Sequence, residues 1–292
     1  IIGGLNSQSF PRVKIGVGAK PHPDYDLAAW VLSRFTREEA PAMVDAVRRA
    51  AAQGVELVLC TGRAIGECWY VLDALPEIRY AVTHTGAMAQ DLKTGELLYH
   101  CPLSADDARL IYRHLRRYDG LINFFSGGIV YNSKAQIDNF ERYYPASFRW
   151  LFDRSHEFVD DLDALVAGWD KPVEKFYVPF SGPEVCRQAW ADLSQLPYFV
   201  TGAGFVDLEV MNPATNKGLA LAALCRALGV PAEQVMAIGD SGNDAAMLDF
   251  AGVGVAMGNG EDALKQRADL VAPSNELGGV ADMLELVLQG GV

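Results

Sequence analysis

The sequence has no excess of positive charge, no cysteine pairing pattern and no long apolar run, and each lack removes a class of function. Its 25 basic residues face 37 acidic ones, for a net charge of −12, so it presents no broad positive field to a nucleic-acid backbone. Cys60, Cys68, Cys101, Cys186 and Cys225 are odd in number, scattered and never in a C-x-x-C pair. That usage predicts reduced thiols in a cytosolic protein, acting as small buried hydrophobes. No apolar run approaches the ~18 residues of a membrane span. The opening residues IIGGLNSQSF contain neither a basic n-region nor an initiator Met, so no targeting segment is recognised. The expectation is a soluble, cytoplasmic chain with no membrane or nucleic-acid partner, and with an N-terminus cut from something longer.

What is present is alternation. Length alone allows one large domain or two moderate ones. From residue 41, AMVDAVRRAAAQ has a helical pattern ended by Gly54, and VELVLC is the short apolar run of a buried parallel strand. Strand-like YAVTH follows, and then the texture changes. KTGELLY predicts a hairpin, SADDARLIYRHLRRY a helix with Ser104 and Asp107 in capping-box spacing, and INFFSGGIVYNS and KFYVPF further strands before the helix PEVCRQAWADLSQL. This is an α+β module set inside an α/β one. After Asn216 the alternation resumes with NKGLALAALCRALG, VMAIGD, DAAMLDFAG and VGVAMG.

Three stretches carry chemistry. In VMAIGDSGNDAAML an apolar strand delivers Asp240 to its C-terminal end, the edge where open α/β sheets bind ligands. Gly239 and Gly242 permit a tight turn to Asp244, so both carboxylates can approach one hard cation while Asn243 donates to an oxyanion. An N-capped helix after a strand would explain Asp244, but not Asp240 or the glycines. In VELVLCTGR, Thr61 and Gly62 end a strand, where a hydroxyl and backbone N–H groups can hold a phosphoryl oxygen. Alone, this is also what an ordinary loop looks like. In PATNKGLALAAL, Lys217 falls in the first helical turn, an unfavourable place for a cation unless it meets an anion such as phosphate or simply points into solvent.

Together, TGR after a strand, NKG opening a helix, GDSGNDAAML and AGVGVAMGNGEDALKQRADLVAPSNELGGV resemble the haloacid dehalogenase superfamily, specifically its Cof-type phosphatases. The resemblance covers about residues 41–292. It implies an α/β fold, a Rossmann-like parallel-sheet core (residues 41–88 and 208–292) with an inserted α+β cap domain (89–207). It further implies a Mg²⁺-dependent phosphohydrolase of small phosphorylated metabolites. Thr61, Gly62, Lys217 and Asn243 would then hold phosphate and Asp240 and Asp244 the metal, with Ser274 and Asn275 in a loop near the site. Arg109, Arg113, Tyr131 and Asn132 are candidates for the cap's contribution, and equally readable as solvated helix or ordinary strand residues. Thr85-Gly86 departs from the family's usual Asn-Gly.

The family's nucleophile motif, Asp-x-Asp-Gly-Thr at the end of the first strand, is missing. In that motif the first Asp attacks phosphorus and the second exchanges protons. Asp24-Tyr25-Asp26 has the internal spacing, but Lys20-Pro21-His22-Pro23 precedes it, and two prolines in four residues do not belong in a central strand. Asp24 and Asp26 are therefore candidate substitutes out of their usual context, and if Arg12 to Gly18 is the strand, its end offers no nucleophile. Instead, residues 1–40, IIGGLNSQSFPRVKIGVGAKPHPDYDLAAWVLSRFTREE onward, resemble the C-terminal part of bacterial peptidyl-tRNA hydrolases, whose catalytic histidine lies upstream of this segment. The chain thus reads as a chimera, and three functions follow in order. The first is a Cof-type phosphatase impaired by the missing motif, the second a non-catalytic phosphate-binding or regulatory module. The third, peptidyl-tRNA hydrolysis, lacks its catalytic groups and a favourable charge.

Overall fold

The computed structural model describes residues 12–15, 39–202 and 206–290, the first four and residues 39–41 by backbone alone. The described residues fall into two compact units: one runs to Gly62 and adds Trp69–His100 and Asn216 onward, and the other comprises Arg63–Cys68 and Cys101–Thr215.

The first unit is an eight-stranded sheet. Its strands are β1 (Arg12–Ile15), β2 (Leu57–Cys60), β3 (Tyr80–Thr83), β4 (Met88–Asp91), β5 (Leu97–His100), β12 (Val235–Gly239), β13 (Val253–Ala256) and β14 (Leu270–Val271), in spatial order β14-β13-β12-β1-β2-β3-β4-β5. From β14 to β3 every neighbouring pair is parallel, while β4 and β5 add an antiparallel edge. Strands β2, β3 and β12 are buried throughout, as apolar runs covered on both faces must be. Helix α1 (Glu39–Ala52) ends before Gly54, whose φ is 84°, and helices α4 (Lys217–Ala227), α5 (Ala245–Phe250) and α6 (Gly279–Leu288) follow later in the chain. Leu221, Leu224, Met247 and Leu248 pack with Val58, Val82, Val235 and Ala237 in one core. The chain moves outward from β1 through β2 and β3, then returns to the other side of β1 with β12 and β13. Such a reversal opens a crevice at the carboxyl ends of the strands, here between β1 and β12.

Val13 pairs with Leu57 and Met236, and Lys14 with Val58 and Ala237, so Arg12–Ile15 holds the central place in the sheet. Asp24 and Asp26 lie outside the described residues.

The second unit has a six-stranded sheet formed by β6 (Asn123–Ser126), β7 (Ile129–Ser133), β8 (His156–Val159), β9 (Lys175–Pro179), β10 (Phe199–Thr201) and β11 (Asp207–Met211), in the order β10-β11-β9-β6-β7-β8. Helices α2 (Ala105–Leu115) and α3 (Pro183–Leu193) bring Ile111, Leu115, Ala189 and Leu193 onto Phe124, Phe176, Val178 and Val210, a sheet face of alternate residues. Ser104 caps α2 by accepting from the Asp107 N–H over 3.1 Å, and its hydroxyl donates to the Asp107 carboxylate.

The module boundaries expected at 89 and 207 shift for a physical reason. The hairpin around KTGELLY is an extension of the main sheet, because β4 pairs with β3, so the inserted unit begins at Cys101. Strand β11 pairs with β9 and β10, so the insert runs to Thr215. Arg63–Cys68 also belongs to it, with Ala64 buried against Phe125 and Val130.

Candidate active site

Three sequence stretches converge at the carboxyl edge of the first unit's sheet. Strand β12 ends at Gly239, and a Cβ there would lie 2.4 Å from the Asp244 Cβ. Only glycine lets Asp244 fold back beneath the strand end. From that position Asp244 Oδ2 accepts from the N–H groups of Asp240 (3.0 Å) and Ser241 (3.3 Å). Ser241 returns the bond in a capping box at the start of the Gly242–Asp244 turn. The tight turn read from Gly-Asp-Ser-Gly-Asn-Asp is thus held by the second aspartate itself.

Lys217 completes this cluster. Asn216 caps α4 by accepting from the Leu219 N–H over 2.7 Å, which starts the helix with Lys217 as its first residue. Gly218 lets α4 approach α5 closely, since a Cβ there would meet the Ala246 carbonyl oxygen at 2.2 Å. The Lys217 ammonium donates to Asp244 Oδ1 and to Asn243 Oδ1, both at 2.7 Å. Burial alone would lower its pKa, but Asp244, Cys60 and Asp240 outweigh that and raise it, so the side chain stays charged. With its oxygen turned to Lys217 and the Ser241 hydroxyl, Asn243 has its amide N–H₂ as the donor end for an anion.

Thr61 follows β2 at the same edge, its N–H donating to Val82 and its carbonyl accepting from the Thr85 N–H. It is half-buried, as is Gly62. Further round the edge, Ser274 begins a short turn over Asn275–Leu277, and the Asn275 N–H donates to Asn259 Oδ1. That bond gives Asn275 a role in joining two loops.

The two carboxylates expected to hold a metal differ in character. Asp244 is 2 % exposed and the protein engages both of its oxygens, so it braces the site. Asp240 is partly exposed, and its carboxyl is pushed up to about 7 by burial and next by the charge of Asp244. A dication beside it would offset both effects, and hard carboxylate oxygens suit Mg²⁺. The residues present therefore fit such an ion at Asp240 with Asp244 in support. Among the described residues, no group of three His, Cys, Asp or Glu side chains is arranged to hold a metal.

Three of the four cap candidates from the sequence are engaged within the second unit. The Arg109 guanidinium bonds Asp106 and the Trp169 carbonyl, Arg113 is exposed, and Tyr131 packs on Phe124 and Trp169. Asn132 is wholly buried and bonds Ile122, Asn123 and His156. Sequence reading missed the Glu67–His156 pair in this unit, joined over 3.3 Å between residues far apart in the chain. It also missed the left-handed turn at His84–Gly86 in the first unit. Only the departure from Asn-Gly at Thr85 hinted at the latter.

The profile of the family described as haloacid dehalogenase-like hydrolase matches residues 37–284, and that of peptidyl-tRNA hydrolase matches residues 1–67. The chain is 33 % identical over 251 residues to "Putative phosphatase YxeH" of Bacillus subtilis (strain 168), covering 84 % of this chain and 90 % of that protein. It is 27 % identical over 237 residues to the same organism's 5-amino-6-(5-phospho-D-ribitylamino)uracil phosphatase YcsE, covering 81 % and 83 % of the two chains. A crystal structure of a haloacid dehalogenase-like hydrolase from Bacteroides thetaiotaomicron superposes with a TM-score of 0.78 at 22 % identity, over 96 % of this chain and all of that one (100 %). No helix among the described residues is long and apolar enough to cross a membrane.

Proposed function

The chain belongs to the haloacid dehalogenase-like hydrolase family, and from that premise we propose that it binds small phosphorylated metabolites with Mg²⁺ as a Cof-type phosphohydrolase of impaired turnover. The observation that carries the binding half is the buried Lys217 ammonium, fixed by Asn243 and Asp244 beside Asp240 at the switch point of the sheet. Mg²⁺, when bound at Asp240, supplies charge that neutralises phosphoryl oxygens.

The protein's own groups do the rest. The Lys217 ammonium, already charged and oriented, attracts a phosphoryl oxygen without having to be ordered first. The Thr61 hydroxyl and the Gly62 backbone N–H receive other oxygens, and the Asn243 amide N–H₂ donates to a third. Asp244 moves no proton in this scheme. It keeps Lys217 charged and pointed.

The impaired half rests on sequence at the strand that matters. Residues 16–20, which follow β1, are Gly-Val-Gly-Ala-Lys, and none offers the carboxylate that attacks phosphorus in this family. Phosphate monoester is therefore held, while formation of an aspartyl phosphate has no partner at the usual position. A non-catalytic phosphate-binding module is the second reading, favoured by that same gap. Turnover of p-nitrophenyl phosphate and calorimetric binding of inorganic phosphate, each with Mg²⁺, separate them: slow but Asp240-dependent turnover supports the phosphohydrolase, and binding with no turnover supports the module. Absence of both overturns the phosphate site.

A further inference from the structure

Strand β3 ends in a turn of unusual backbone conformation. His84 and Thr85 have φ of 53° and 57°, and Gly86 follows at 100°, three successive residues in the left-handed half of φ space. Glycine takes such angles freely, but for a β-branched residue such as threonine they are a genuine outlier. The turn is closed off from solvent, with His84 0 % and Thr85 2 % exposed. Strain of this kind persists only where the surroundings over-determine it, and it clusters at functional sites.

The surroundings here are two residues of the phosphate site. On one side the Thr85 N–H donates to the Thr61 carbonyl over 3.2 Å. On the other, Gly86 packs so closely on the start of α4 that a Cβ would stand 2.3 Å from the Asn216 carbonyl carbon and 2.6 Å from the Lys217 nitrogen. The turn is also pinned internally, where the His84 ring Nδ1 meets the Thr83 hydroxyl at 2.9 Å. Thr61 and Lys217 are 156 residues apart in sequence and sit on different elements. The turn touches both.

We infer that His84–Thr85–Gly86 is a strut that sets the spacing between Thr61 and Lys217, with Thr85 and Gly86 as positioning residues for the phosphoryl group held there. The inference rests on the phosphate-site reading above. A strut of this form accounts for a β-branched residue in a left-handed position: in that conformation the Thr85 N–H donates to Thr61. It also explains why the next residue has no side chain. Any Cβ at position 86 pushes the capped end of α4, and Lys217 with it, away from the strand ends.

The test compares wild type with Gly86→Ala, Thr85→Gly and Gly252→Ala in the full chain. The last is a control of similar steric insult elsewhere in the same unit, since a Cβ at Gly252 would meet the Glu233 Cα at 2.6 Å. Two quantities are read beside melting temperature: calorimetric affinity for inorganic phosphate with Mg²⁺, and acetylation of Lys217 by acetic anhydride mapped by mass spectrometry. Gly86→Ala is expected to weaken phosphate by roughly tenfold or more, the scale on which small misplacements are felt, and to expose Lys217 to acetylation. Thr85→Gly, which keeps the turn accessible and loosens it, is expected to change both in the same direction without loss of folding. Gly252→Ala is expected to lower the melting temperature and leave both readings at the wild-type level. Folded Gly86→Ala or Thr85→Gly protein with wild-type affinity and wild-type Lys217 protection overturns the strut, as does an equal loss in Gly252→Ala. If wild type binds no phosphate, the site reading fails, and the acetylation pattern alone decides the strut.

Discussion

Lys217 Nζ lies 2.7 Å from Asp244 Oδ1, and the two residues are only 6 % and 2 % exposed. A charge pair this deep is costly to break from one side, because the survivor is left buried and uncompensated. Asp244→Ala and Lys217→Ala are each expected to lose about 3–5 kcal/mol of unfolding free energy. The apolar double replacement Lys217→Met with Asp244→Leu is expected to recover much of that while abolishing phosphate binding. Urea denaturation of the singles and the double checks both parts, and equal loss in all three contradicts the pairing.

Asp240 gives a metal-linked prediction. Its carboxyl is raised to about 7, so between pH 4 and about 7 the folded state binds more protons at this group than the unfolded chain. Stability from Asp240 is therefore greatest at low pH and falls as pH rises through that window. Mg²⁺ is expected to raise the melting temperature most above pH 7, where the carboxylate is charged. Asp240→Asn is expected to remove the Mg²⁺ shift and to flatten the pH dependence. A Mg²⁺ shift that survives Asp240→Asn places the ion elsewhere.

The second unit contains a carboxylate shifted in the opposite direction. Burial alone would raise the Glu67 carboxyl, but His156, followed by Arg63 and the Ala64 N–H, holds it at about 2. The His156 ring is fixed at both nitrogens: Nε2 faces Glu67 Oε1 over 3.3 Å, and Nδ1 donates to Asn132 Oδ1 over 2.6 Å. The Asn132 amide points its N–H₂ at Ile122 and Asn123, which leaves its oxygen as the acceptor. With the folded pKa below the usual value, this pair contributes stability above about pH 4.5 and loses it as pH falls toward 2. The loss amounts to about 3 kcal/mol. Acid titration of wild type and Glu67→Gln, followed by circular dichroism, should show the variant less stable at neutral pH and flatter below pH 4.5.

A local control concerns the cap of α2. Ser104 accepts from the Asp107 N–H and donates to the Asp107 carboxylate, and Ser104→Ala should cost about 1 kcal/mol. The chemistry at Asp240 and Lys217 should be untouched. A change in phosphate affinity in this variant would show that the inserted unit reports on the site in a way the cap bond alone does not explain.

Local signals carried much of this structure in the sequence. The apolar run before Asp240 and the glycines after it dictated a strand and a tight turn, because strand burial and steric room at Gly239 are properties of adjacent residues. The Ser104–Asp107 spacing likewise wrote its own cap. Other features depend on partners distant in the chain. Lys217 read equally as a solvated lysine until the fold set it against Asp244. The hairpin at β4 and β5 looked like part of the insert, since nothing local says which sheet an edge strand joins; pairing of Tyr80 with Asp91 decides it. The turn at Thr85 opposed its own residue preference, which is why no propensity argument finds it.

In the proposed function, β1 completes the sheet without supplying the attacking carboxylate. Ile15 pairs with Leu59, two residues before Thr61, and Lys14 with Ala237, three before Asp240, so the residues that follow β1 in sequence are the ones to change. Gly16→Asp, Gly18→Asp, Ala19→Gly and Lys20→Thr together rewrite GVGAK as Asp-Val-Asp-Gly-Thr. The most direct measurement is p-nitrophenyl phosphate hydrolysis with Mg²⁺ by wild type, by this quadruple variant and by Asp24→Asn. If the missing carboxylate is what limits turnover, wild type turns over slowly, Asp24→Asn loses nothing, and the folded quadruple variant gains about 10²–10⁴-fold, the range a positioned acid–base group supplies. Rapid wild-type turnover that disappears in Asp24→Asn would contradict it.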